Sequence, residues 1–298
     1  MTRDTRRPFG RLLTAMVTPF RADGSLDVDG AARLAEHLVD EQRNDALVIN
    51  GTTGESPTTT DAEKETVLRA VLEAVGDRAR IVAGVGTFNT HHTVELARTA
   101  EKVGAHGLLV VTPYYSKPPQ TGLLAHFRTV ADATGLPMML YDIPGRSGVP
   151  IATETFLRLA EHDRIVAVKD AKGDLAASSW VLRETDLAYY SGDDALTLPL
   201  LAVGGTGLVG TSTHLTGAIA AQLISAYDEG DIDQALRLHR QALPLFTGIF
   251  RTQGAILVKA AMNAKGLPAG PMRAPLVDAT EAELAQLRAD CDAAGLPL

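Results

Sequence analysis

Eight short apolar runs, each followed by a stretch of helical periodicity, dominate this chain and leave few folds open. The runs are LLTAMVT (12–18), ALVIN (46–50), RIVAGVG (80–86), GLLVVT (107–112), PMMLYD (137–142), RIVAVK (164–169), LAYYSG (187–192) and GLVGTS (207–212). Most are continuous in hydrophobicity rather than alternating, the pattern of parallel strands covered on both faces. They recur roughly every 30 residues, the length of one strand plus a crossover helix. Strict alternation of eight such units favours an α/β fold of the (β/α)8 TIM-barrel type over an open doubly wound sheet.

The intervening helices carry their own signals. Thr60-x-x-Glu63 is a capping box, opening a helix with Val67, Leu68, Val71, Leu72 and Val75 on one face. Asn89 or Thr90 caps the next, with Val94, Ala97 and Val103 inward. Leu123, Leu124, Phe127 and Val130 form the stripe of another. From about residue 217 the strand signals stop. Four helical stretches follow: AIAAQLISAYDEG, DIDQALRLHRQALPLF, GAILVKAAMNAKG and EAELAQLRAD. The expected organisation is a barrel over 1–224 and a C-terminal helical region over 225–298, an appendage and not an independent domain.

Charge and composition exclude several function classes. A net charge of −8 provides no basic footprint, so no nucleic-acid partner is expected. No stretch is long and apolar enough to span a membrane. Arg6-Arg7 before an apolar run faintly mimics a twin-arginine export signal. That run is interrupted at Thr14, ends at Thr18-Pro19 and lacks a small-residue cleavage site, so it reads as the first strand and the protein as cytoplasmic. The single cysteine, Cys291, cannot form an internal disulfide and sits in a charged stretch without catalytic character.

Lys169 ends the sixth apolar run, where an ammonium is costly to desolvate. Either it snorkels to water or pairs with Asp170, or burial lowers its pKa and leaves an amine able to attack a carbonyl. In barrels, reactive groups follow the C-terminal ends of the strands. That rule gathers at one mouth Thr52, Thr53 and Glu55 after the second run, and Tyr114 and Tyr115 after the fourth. Tyr141 and Arg146 join them at the fifth, and Lys169 at the sixth. Each has a plainer reading as a packing, turn or capping residue; it is their convergence that points to a site. A neutral lysine forms a Schiff base with a ketone or keto acid. Hydroxyl side chains can shuttle the protons this requires without adding charge beside the lysine. The glycines of GTTGE allow backbone N–H groups to approach a carboxylate, and Arg146 can bind a second one bidentately.

Other motifs carry less. GTGLVG (205–210) follows a helix and leads into a strand, the reverse of a dinucleotide fingerprint, so NAD binding is not expected. His91 and His92 are adjacent at a helix start and diverge, making poor co-ligands. Asp193-Asp194 could bind a metal, but helix-start capping explains them better. No metal site is assigned.

GTTGES, TPYYSKP, LYDIPGRSG, VKDAKGDL and YYSGDD, in this order and spacing, resemble the dihydrodipicolinate synthase family. That family belongs to the N-acetylneuraminate lyase superfamily of Schiff-base aldolase barrels. The likeness runs from LLTAMVTPF to the helical C-terminus. It implies 4-hydroxy-tetrahydrodipicolinate synthase chemistry: condensation of pyruvate with L-aspartate 4-semialdehyde, the first committed step toward diaminopimelate and lysine. Lys169 would form the Schiff base with pyruvate. Tyr141 would be the general acid/base, with Thr52 and Tyr115 completing a proton relay. Thr53 and Val209 would hold the pyruvate carboxylate, and Arg146 that of the semialdehyde. No cofactor is implied beyond the covalent Schiff base. The resemblance also implies a homotetramer built as a dimer of dimers, with Tyr115 crossing into the neighbouring subunit's site.

Two places depart from the family pattern. Strand eight carries Gly210-Thr211 where Ser-Val is expected. Lys64 and His92 stand where lysine-inhibited members carry His and Glu, and a cationic Lys64 would repel the effector, implying weak or absent feedback. Alternative functions are another pyruvate aldolase of the superfamily acting on a sugar acid or sialic acid, or a non-catalytic keto-acid-binding barrel. The Arg146 loop argues against the first, and the conjunction of Lys169, Tyr141, Thr52 and Tyr115 argues against the second.

Overall fold

The computed structural model describes residues 7–298. Eight parallel strands form a closed barrel in sequence order: Leu12–Ala15 (β1), Ala46–Ile49 (β2), Arg80–Gly84 (β3), Gly107–Val111 (β4), Met138–Asp142 (β5), Ile165–Asp170 (β6), Ala188–Ser191 (β7) and Gly207–Gly210 (β8). β8 closes onto β1 through Leu13↔Val209 and Thr14↔Gly210. All eight expected runs contain a strand, most of them shorter than the run. β1 stops at Ala15, beyond which the Met16 N–H donates to the Val48 carbonyl and the Val17 N–H to His214 Nε2. Thr14 does not interrupt it: its buried hydroxyl bonds Asn44 and Thr213. Arg6 of the arginine pair lies outside the described residues.

The continuous apolar runs divide between two cores because successive side chains of a strand point to opposite faces. Leu13, Ala15, Ala46, Val48, Val82, Leu109, Met139, Tyr141, Ala167, Ala188, Tyr190 and Val209 pack together as one cluster, the barrel interior. The intervening Leu47, Ile49, Ile81, Leu108, Leu140 and Val168 belong to the larger cluster shared with the helices. The same alternation sends Tyr141 and Lys169 inward and their neighbours Asp142 and Asp170 outward.

Between the strands lie helices with the expected caps. The Thr60–Glu63 capping box is complete at the start of the helix Asp61–Val75. Asn89, rather than Thr90, caps Thr90–Val103 by accepting from the N–H groups of His91 and His92. Val67, Leu68, Val71 and Val75 are buried, as are Val94, Ala97 and the Leu123, Leu124, Phe127, Val130 stripe. Leu72 and Val103 are only half-buried, lying at the edges of their stripes. The C-terminal helices Thr213–Asp228, Ile232–Gly248, Gly254–Ala264 and Glu281–Ala293 match the four helical stretches. Leu245, Leu257, Val258, Met262 and Leu287 join the cluster that covers the outside of the strands. Cys291 is buried there, its thiol pushed up to about 11 by desolvation, which removes thiolate character. Among the described residues no helix is long and apolar enough to cross a membrane.

Candidate active site

At the C-terminal end of the barrel, β5 and β6 place Tyr141 and Lys169 directly opposite each other in register. Lys169 Nζ lies 4.3 Å from the centroid of the Tyr141 ring. The lysine is 4% exposed, so it does not snorkel. Nor does it pair with Asp170, which faces the helices: that carboxylate accepts from the Lys172 and Gly173 N–H groups and the Ser178 hydroxyl. Desolvation lowers the Lys169 pKa to about 8, with Asp194 opposing the shift and Arg146 adding to it. At neutral pH about one-tenth of such a lysine is free amine, several hundredfold more than for an ordinary lysine. Tyr141 is pushed up to about 12 by burial, against the smaller effects of Arg146 and of a hydrogen bond with the Thr52 side chain. Its phenol is therefore protonated at rest, able to donate to a developing oxyanion beside the amine.

The loops after β2 and β8 meet at the side of this pair. Thr53 is buried, and its hydroxyl lies 3.3 Å from that of Thr211. Val209 is fully buried on the inward face of β8. The departure at residues 210–211 is accommodated locally. A Cβ on Gly210 would fall 2.5 Å from Thr213 Cγ2 and 2.9 Å from Asp194 Oδ1, while Thr211 supplies the hydroxyl that partners Thr53.

Asp194 is the residue the sequence reading missed. Asp193 does cap the turn that follows, accepting from the Ala195 N–H. Asp194 instead turns inward, fully buried, and accepts from the Thr211 and Ser212 N–H groups and, at 2.5 Å, the Ser212 hydroxyl. Burial raises its pKa to about 6, opposed by those hydrogen bonds. His214 completes the anchoring of this loop, with Nδ1 2.8 Å from the Thr211 carbonyl and Nε2 accepting from Val17. Two acidic residues in a row indicate a cap; nothing local distinguishes the one that turns inward.

Above these groups opens a cavity of about 380 Å³, lined among others by Thr52, Tyr114, Tyr115, Tyr141 and Arg146. Arg146 sits on the exposed turn Pro144–Ser147 and forms no ion pair among the described residues, leaving its guanidinium available to an anion. Tyr114 packs edge-on against Phe88, with centroids 5.5 Å apart. Tyr115 is different: it lines the rim of the cavity but adopts φ +72° and is 93% exposed, so its ring is left uncovered within one chain. Glu55 corrects an expectation. It does not face the mouth but is turned to the outer side of its loop, where it pairs with Lys259 at 2.6 Å. His91 is exposed, and His92 bonds Asp61 at 2.9 Å. Among the described residues no cluster of three potential ligands could hold a metal.

The model of the Dihydrodipicolinate synthetase family matches residues 8–294. The 4-hydroxy-tetrahydrodipicolinate synthase of Acidothermus cellulolyticus is 72% identical over 288 residues, 97% of this chain and 93% of the relative. 4-Hydroxy-tetrahydrodipicolinate synthase 2 of Streptomyces coelicolor is 62% identical over 297 residues, 100% and 99% of the two chains. Among solved structures, dihydrodipicolinate synthase from Cyanidioschyzon merolae with lysine bound superposes with a TM-score of 0.94 at 44% identity. That alignment covers 97% of this chain and 99% of the other.

Proposed function

From the premise that this chain belongs to the dihydrodipicolinate synthetase family, we propose how its residues carry out the reaction. The chain is a Schiff-base lyase that condenses pyruvate with L-aspartate 4-semialdehyde in diaminopimelate and lysine biosynthesis. The neutral amine of Lys169 attacks the pyruvate ketone, and the resulting carbinolamine loses water as its oxygen takes up a proton. Tyr141, with Thr52 and the Tyr115 of a neighbouring subunit, moves that proton. Thr53 and the backbone at Val209 hold the pyruvate carboxylate. The imine loses a methyl proton to become an enamine, whose carbon attacks the aldehyde. The unpaired guanidinium of Arg146 holds the second carboxylate at the cavity mouth. The product's own amine then displaces Lys169, closing the ring and freeing the lysine. The reaction needs no cofactor beyond this covalent intermediate, and we place it in the cytoplasm.

One observation carries the assignment. A buried lysine, without an ion pair among the described residues and with its pKa lowered to about 8, stands in register with a buried, protonated tyrosine beneath an open cavity. The exposed Tyr115 supports an assembly of at least a dimer, and the homotetramer is proposed as a dimer of dimers. Pyruvate consumption, followed with and without aspartate semialdehyde alongside borohydride trapping, tests the whole reading. Semialdehyde-dependent consumption with a pyruvyl adduct on Lys169 is expected. An adduct without that dependence would move the second substrate to a sugar acid, and no adduct at all would remove the Schiff base.

A further inference from the structure

The Glu55–Lys259 ion pair is almost wholly buried, with side chains 0% and 2% exposed. Stability does not explain it well, because replacing a buried ion pair with apolar side chains of similar volume is often neutral or stabilising. Its position does. Glu55 adopts φ +55°, and its N–H donates to the Thr52 carbonyl at 3.1 Å, so the residue anchors the turn that carries Thr52 and Thr53. Its second carboxylate oxygen accepts from the Arg273 N–H at 2.9 Å. Lys259, on the helix Gly254–Ala264, also donates to the Pro271 carbonyl and lies 4.3 Å over the Phe20 ring. The Arg273 guanidinium lies 3.9 Å over the same ring and reaches the Thr58 and Gly24 carbonyls and the Glu63 carboxylate. The loop after β2 is thus gripped along its outer side. Its inner side presents the Thr52 hydroxyl to Tyr141 and the Thr53 hydroxyl to Thr211.

We propose that the Glu55–Lys259 pair is a positioning device, through which a helix outside the barrel fixes the Thr52 and Thr53 hydroxyls for proton transfer and for pyruvate. The inference rests on the roles given to those threonines under the proposed function. A charged pair suits the task because it fixes distance and direction, whereas an apolar contact permits sliding. Arg146 lies on the loop after β5, outside this network, so the grip on the semialdehyde is independent of it.

The double variant Glu55→Gln/Lys259→Met removes both charges while retaining side-chain size and the acceptor for Arg273. It is expected to keep its unfolding midpoint. Its kcat should fall and its pyruvate KM rise, lowering kcat/KM for pyruvate roughly 10- to 100-fold, the cost of small misplacements of reacting groups. The semialdehyde KM should be unchanged. Glu55→Asp tests the same point without uncharging the pair: the carboxylate is withdrawn by one methylene, so the loop must shift or the pair must open. The same split between the two KM values is expected. Wild-type kinetics in both variants, or equal changes in both KM values with a lowered midpoint, would overturn the positioning role. Wild-type protein run in parallel separates the readings. A wild type that traps no pyruvate overturns the proposed function and this inference with it, whereas a wild-type adduct with unaltered variants overturns the inference alone.

Discussion

Replacing Lys169 with methionine removes the amine while preserving the length of a flexible apolar stem, so the pocket is neither emptied nor overfilled. The lysine costs the folded chain stability. Its pKa lies at about 8 in the fold against 10.5 for a free side chain, a gap worth about 3 kcal/mol at 1.36 kcal/mol per tenfold. No ion pair within the described residues offsets that cost, and the opposing charge of Asp194 is already included in it. The variant is therefore expected to be inactive and more stable, by about 3 kcal/mol near neutral pH and roughly 5–10 °C in Tm. The pH dependence separates this from a general packing gain. Above the ordinary lysine value both folded and unfolded chains carry a neutral amine, and the cost is absent. It grows as pH falls from about 10.5 toward about 8, then stays constant because the native lysine is protonated as well. Urea unfolding of both proteins across that window, with circular dichroism to verify the fold, is the assay. A methionine variant no more stable than the wild type at neutral pH would refute the desolvation argument. So would an advantage that persists undiminished at the alkaline end.

The remaining expectations concern individual groups. Burial holds the His214 pKa at about 4 against 6.5 when free, and its neutral Nε2 accepts from Val17. Stability should be complete above the free value and decline by about 3 kcal/mol as pH falls from 6.5 to about 4; His214→Asn should flatten that slope in acid titrations of unfolding. Tyr141→Phe removes the hydroxyl but not the ring over Lys169, so kcat should fall roughly 100- to 10,000-fold with the fold intact, and wild-type turnover would remove Tyr141 from the relay. Lys64 stands where the family resemblance places a histidine of the effector site, and its amine donates to the Thr59 carbonyl. Free lysine is expected to inhibit weakly or not at all, and sub-millimolar half-inhibition in the pyruvate assay would contradict this.

The barrel was legible because its signals are local: eight apolar runs at crossover spacing, and caps such as Thr60 and Asn89 that act within one turn. Much of the site was legible for a related reason. Strand ends are readable, and in a barrel the strand ends share one mouth, so Lys169, Tyr141, Thr52 and Arg146 could be grouped without knowing any distance. The direction of Lys169 was not decided at that level, where pairing with Asp170 stayed open; in the folded strand Lys169 shares the side of Ala167, and Asp170 on the other side is taken up by the Lys172 and Gly173 N–H groups and Ser178. Tyr115 was legible as a residue of the mouth from its strand end, but as one reaching outward only through the family resemblance, since exposure depends on the φ +72° turn that presents it.

Buried carboxylates were not legible, and the reason is physical. Asp and Glu have low intrinsic burial, so each buried one is determined by its partner rather than by its neighbours in sequence. Glu55 stands in a loop rich in hydroxyls and glycines, an obvious candidate for the cavity, yet its partner lies on a helix beyond the barrel. Asp194 follows another aspartate in an ordinary capping context, yet its partners are the N–H groups of the strand-eight loop. In both cases the carboxylate is taken up by a partner from a distant segment of the chain. It holds from behind a loop whose front side carries the hydroxyls of Thr53 or Thr211. Residues that would meet substrate can be inferred from chemistry and strand ends, but those that hold them in place depend on contacts between distant segments. Those segments meet only in the folded chain, which is why substitutions at Glu55, Lys259 and Asp194 test the structure more severely than substitutions at Lys169.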